Sequence, residues 1–136
     1  MWDWKDAWIL LAISGAPLRG RSLSSVIGMA DAINVDIPSR DDLERSVNRL
    51  VAARLVRLDS DRFRLTGEGR RLLRRARRAR LREKPKLIEA DLRRTPFPTE
   101  TNDWSLSQAD WEAAYKNYCA TAERWLRRDR DRDQSS

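Results

Sequence analysis

The sequence predicts a mainly α-helical fold with three N-terminal helices, one two-stranded hairpin and a helical C-terminal extension. Two patterns carry that prediction. Apolar residues recur at three-and-four spacing in the first 55 residues, with Ser caps before the second and third runs. The run Val56-Arg57-Leu58 … Arg62-Phe63-Arg64-Leu65 then alternates apolar with basic around Asp59-Ser60-Asp61, the period of a half-buried hairpin.

The first helix is expected over Asp3 to Ile13, with Trp4, Ala7, Trp8, Leu11 and Ala12 on one stripe and Ile9, Leu10 and Ile13 widening it until most sides are buried. Gly15 to Arg21 reads as a loop from its Gly and Pro content, and Ser22 caps a second helix reaching Asn34. Gly28 inside that helix costs about 1 kcal/mol relative to alanine, which suggests a close crossing with the third helix. The third helix begins at Ser39, the N-cap after Pro38, with acids in its first turn where the helix dipole favours them. Leu43, Val47, Leu50, Val51 and Leu55 form its buried stripe, leaving Arg40, Asp41, Glu44, Arg45 and Asn48 outward.

After the hairpin, Thr66 caps a helix expected from Gly67 to Arg82, with Leu72, Leu73, Ala76 and Ala79 on one side and arginines around the rest. Pro85 breaks the run, and residues 86–94 resume as a short helix burying Leu87, Ile88 and Leu92. Thr95 to Asp103 reads as a loop. The last helix starts near Ser107 and runs to about Arg128, with Trp111, Tyr115, Tyr118, Ala122 and Trp125 on one stripe. The organisation expected is a domain over 1–82, a helical extension over 83–128 that serves dimerisation, and a disordered tail over 129–136.

The segments Leu50-Val51-Ala52-Ala53-Arg54-Leu55-Val56, Arg62-Phe63-Arg64-Leu65-Thr66, Gly69-Arg70 and Leu72-Leu73 resemble the wing signature of winged helix-turn-helix regulators of the PadR-like and MarR-like kind. The resemblance covers about residues 4–76, and its LTxxG element is the most specific part. Arg54 stands where those families usually have the glycine of a helix C-cap. The resemblance implies a winged helix-turn-helix of three helices plus a two-stranded wing, and a transcriptional regulator that binds DNA sequence-specifically as a homodimer.

Charge is partitioned along the chain. Residues 67–95 hold 12 basic and 4 acidic side chains, whereas residues 1–66 hold 10 and 9. The overall balance of +7 suits an anionic partner. With no histidine and one cysteine, Cys119, the chain lacks an imidazole base, a zinc cluster and an intramolecular disulfide, so no enzymatic role, metal or cofactor is expected. Cys119 reads as a small buried residue. No apolar run has the length of a membrane span, and the N-terminus is charged and aromatic; a cytoplasmic location without a membrane partner is expected.

The candidate DNA-binding residues are Arg40, Arg45, Asn48 and Arg49 on the third helix, Arg57, Arg62 and Arg64 on the wing, and Arg70, Arg71 and Arg74 beyond it. Arg and Asn suit guanine and adenine edges. Asp41 and Glu44 on the same face oppose phosphate unless Arg40 and Arg45 pair with them, and Asp59 and Asp61 sit at the wing tip. Two alternatives therefore stand beside sequence readout: a protein-interaction module that never reads DNA, and a non-specific nucleic-acid binder that uses the arginine-rich helix alone. The aromatic residues Trp4, Trp8, Trp111, Tyr115, Tyr118 and Trp125 are expected to form a core or dimer seam that joins the terminal helices. The sequence names no small-molecule effector.

Overall fold

The computed structural model describes residues 1–15 and 19–135; part of the predicted loop after Gly15 lies outside the described residues. The elements are α1 (Trp4–Ile13), α2 (Leu23–Asn34), α3 (Arg40–Ala52), β1 (Val56–Asp59), β2 (Arg62–Leu65), α4 (Gly67–Leu72), the 3-10 turn η1 (Arg75–Arg78), α5 (Lys84–Arg93) and α6 (Gln108–Ser135). This mainly helical order with, among the described residues, one two-stranded antiparallel sheet is compatible with a winged helix followed by a C-terminal helix.

Local chemistry sets the helix starts. Asp3 caps α1 and exchanges hydrogen bonds with Asp6 in a capping box; Ser22, Ser39 and Thr66 cap α2, α3 and α4 with their hydroxyls. α3 ends through Arg54, held at φ +62° in the left-handed region, where a side chain is strained and glycine is not. Arg54 therefore occupies the conformation for which the resembled families use glycine.

The core joins all of these elements. Trp8, Ile9, Leu10 and Ile13 of α1 pack with Val26 and Ile27 of α2, Leu43, Val47 and Leu50 of α3, Phe63 of β2, and Ile88 and Leu92 of α5. Trp8 donates its indole N–H to the Ala30 carbonyl at 2.9 Å. The hairpin pairs Val56 with Leu65 and Leu58 with Phe63, and Arg21 adds a one-residue bridge to Phe63 on the other edge. α5, assigned by sequence to the extension, thus lies in the core against α1.

Several expectations are corrected. The helix predicted over Gly67–Arg82 stops at Leu72 and becomes a 3-10 turn, with Ala79 extended. A straight helix would have carried its thin apolar side away from the body, whereas the bend buries Ala76 and returns α5 to α1. α6 continues past Arg128 to Ser135, and the alternating Arg and Asp of that stretch stand at the three-and-four spacing that supports a solvated helix. Gly28 crosses α6, not α3: a Cβ there would lie 2.9 Å from the Tyr118 ring.

The terminal helices do not form the expected joint seam within the chain. α1 packs on α5, α2 and α3, while α6 packs on α2. Trp4 meets Trp8 edge-on, Trp111 stacks on Tyr115, and Tyr118 donates to Asp31 at 2.6 Å. Trp125 lies beyond the α2 contact and is 63% exposed.

Candidate nucleic-acid interface

Three surfaces hold the residues expected to touch DNA, and the structure treats them differently. On α3 the outward side chains are engaged by the chain itself. Asn48 donates through Nδ2 to the Trp104 carbonyl at 2.8 Å and accepts through Oδ1 from the Trp104 N–H at 2.8 Å and from Asn102 at 2.9 Å. One turn earlier, Glu44 accepts the Leu106 N–H at 2.8 Å, and Arg40 donates to the Leu106 carbonyl at 2.7 Å while pairing with Glu44 and Asp41. The Leu106 amide, aided by the Arg40 guanidinium, holds the Glu44 carboxyl below the usual carboxylate range.

Arg49 reaches inward. It bonds Asp6 at 3.1 Å and lies over the Phe97 ring. Asp6 is fully buried and is satisfied by Ser46 at 2.8 Å, by the Asp3 N–H and by Arg49. Arg45 pairs with Asp42 at 3.2 Å and approaches Asp3. The acids on this face are thus paired as the charge pattern required, though both Asp41 and Glu44 pair with Arg40 and Arg45 takes Asp42. In this conformation Asn48 Oδ1 already accepts two hydrogen bonds and Nδ2 donates to Trp104, so the acceptor is taken and only one Nδ2 hydrogen remains for a base edge.

The wing offers less charge than its arginines suggest. Asp59 at its tip pairs with Arg64 at 2.6 Å and lies 3.7 Å from Arg57. Arg62 is exposed beside the turn.

The third surface is different. Arg70, Arg71 and Arg74 of α4 and the turn that follows are joined by Arg77 and by Lys84 around a cleft of about 700 Å³. Its floor is apolar, from Leu11, Leu65, Leu73 and Ile88, and no acidic side chain lines it among the described residues. The side chains of those four arginines make no hydrogen bond or ion pair among the described residues, and all four are exposed. Arg75, on the opposite side, is neutralised by Asp91 at 3.1 Å. The bend after Leu72 creates this arrangement, because it curls the arginines around one hollow instead of spreading them about a straight helix.

Sequence reasoning named Arg70, Arg71 and Arg74 and placed Arg77 in the same arginine-rich run, but missed Lys84, which only the bend brings near. It also missed Asp6, although an acid three residues after an Asp cap is a readable capping box. Nothing local in residues 102–106 announces that they lie against α3. No match was found among family models, curated proteins or solved structures.

Proposed function

We propose that the protein binds nucleic acid by its phosphates, through the arginine surface between Arg70 and Lys84 on a winged-helix scaffold. The observation that supports this reading is the hollow ringed by Arg70, Arg71, Arg74, Arg77 and Lys84, which among the described residues has no acidic lining and whose four arginines have no hydrogen-bond or ion-pair partner. Guanidinium forks suit phosphate oxygens, and their strength in low salt comes from counterion release. Contacts of this kind position a protein on nucleic acid without reading its sequence.

A second reading, a transcriptional regulator that recognises a specific DNA sequence through α3 as a homodimer, is favoured by the succession of α2, a short turn, α3 and the hairpin. It requires residues 102–106 to leave α3. The exposed Trp125 and Leu126 on the distal half of α6 are the surface on which two copies would meet.

Fluorescence anisotropy with several unrelated duplexes across 50–200 mM salt separates the readings. Four phosphate contacts give a log–log slope of about −3.6 for every duplex. Replacing Arg74 and Arg77 with alanine should flatten that slope by about 1.8. An unchanged slope in the double variant would remove this surface from the interface, and a strong preference for one duplex would favour the second reading.

A further inference from the structure

The contacts on α3 form a repeated device. Asn48 bonds both the N–H and the carbonyl of one residue, Trp104, and the Arg40–Glu44 pair bonds both the N–H and the carbonyl of another, Leu106. The two clamped residues are two apart, as are residues on one edge of an extended chain, and the segment runs antiparallel to α3. The backbone is gripped in a way that any sequence can satisfy. Side-chain selectivity comes from two anchors: the Trp104 ring stands edge-on to Phe63 of the wing at 5.5 Å, and Leu106 is buried. Thr101 and Asp103 before the anchors and Ser105 between them are exposed.

The segment also underfills its seat. Beside Trp104 and Leu106 an open cleft of about 610 Å³ extends between the wing, at Leu58 and Phe63, and α6, at Ala113 and Ala114. Nothing else in the chain occupies it among the described residues. The segment leads into α6, whose packing partner is α2; its departure would uncover the core at Leu106 and Trp104, while the contacts of α1 with α2, α3 and α5 do not run through it.

We infer that the groove between α3 and the wing is a docking site for an extended peptide segment of another protein, and that residues 102–106 occupy it in cis as a displaceable stand-in. The partner's segment carries an aromatic residue, an aliphatic residue two positions on, and an added bulky side chain for the empty cleft. The inference stands apart from the arginine surface and does not depend on it. A tethered occupant competes at an effective concentration in the millimolar range for short linkers, so a foreign segment must fit better or arrive with a second contact.

The test uses the full chain with Trp104→Ala and Leu106→Ala, which removes both anchors, and a fluorescein-labelled peptide of residues 99–108 as the probe. The variant should bind the probe at least tenfold more tightly than the unchanged chain does, and adding Asn48→Ala should weaken that binding about tenfold. A folded variant that ignores the probe, or binding that ignores Asn48→Ala, would overturn the inference. Light scattering of the unchanged chain provides a further check. A dimer that the anchor substitutions dissolve would mean that a second copy fills the groove, and would overturn the assignment to a foreign segment. Should the variant lose its circular-dichroism signal, amide exchange in the unchanged chain decides. The Trp104 and Leu106 amides should exchange at least a hundredfold faster than that of Leu50, and equal rates would show a fixed part of the core.

Discussion

Replacing Gly69 with alanine tests how the arginine surface is held to the hairpin. Gly69 sits in α4 with its Cα against the end of α3, and a Cβ built there would lie 2.2 Å from the Leu55 carbonyl oxygen and 3.5 Å from Leu65. That oxygen cannot retreat freely, because it accepts the Thr66 N–H at 3.0 Å and Leu55 is itself buried. Relief therefore requires α4 to shift as a body. Overpacking costs roughly 1–3 kcal/mol, and a clash with backbone belongs at the upper end of that range. Alanine returns up to about 1 kcal/mol as the better helix former. The net loss is about 2 kcal/mol, which for a chain of this size lowers the melting temperature by about 6–10 °C.

Gly67 is the control in the same helix, since nothing lies within 4 Å of a Cβ there. Gly67→Ala should leave the melting temperature unchanged or raise it slightly. Thermal melts followed by circular dichroism at 222 nm measure both. If Gly69→Ala melts at or above the temperature of the unchanged protein, the close approach of α4 to Leu55 is refuted as the reason for a glycine at that position.

Other substitutions probe the remaining elements. Arg54→Gly should stabilise the protein by about 0.5–1 kcal/mol in urea denaturation, because the left-handed backbone at φ +62° strains any Cβ; a loss of stability would show that the Arg54 side chain matters more than its backbone. Asp6→Ala leaves the Ser46 hydroxyl and the Asp3 N–H without their acceptor and Arg49 with only Asp3 at 3.5 Å, and should destabilise the fold by roughly 2–4 kcal/mol, less than for a fully buried pair because Arg49 is partly solvated. A change below 0.5 kcal/mol would contradict that account. The hydrogen bond to Asp31 pushes the Tyr118 phenol up to about 12. Since the folded state favours the neutral phenol, this contribution is complete below pH 10 and is lost as pH rises from about 10 to 12. Absorbance at 295 nm should show Tyr118 titrating late, with Tyr115 also displaced upward by its hydrogen bond with Cys119, and Asp31→Ala should bring Tyr118 down; both tyrosines titrating near pH 10 would refute the pairing.

Much of the fold was determined by the sequence alone, wherever the deciding physics is local. Caps at Ser22, Ser39 and Thr66, the apolar stripes of α1 to α3 and the alternation of the hairpin each act within a few residues, so those helix starts and the hairpin were legible, although Asp59, read as part of the turn, is paired with Arg62 and shifts the register by one residue. The arginine concentration over residues 67–95 was equally plain. Tertiary structure decided what those local elements face. The arginine helix bends after Leu72 because burying Ala76 and seating Ile88 on α1 outweighs the helical propensity of the run, and that bend, invisible to periodicity, brings Lys84 to Arg74 and Arg77. Likewise, the outward face of α3 reads from sequence as a surface free to touch something, but side-chain spacing reports only that a face is polar. Whether its donors and acceptors are met by solvent, a ligand or a distant part of the same chain depends on where residues 102–106 come to rest, some 60 residues on in sequence, and there they satisfy Arg40, Glu44 and Asn48.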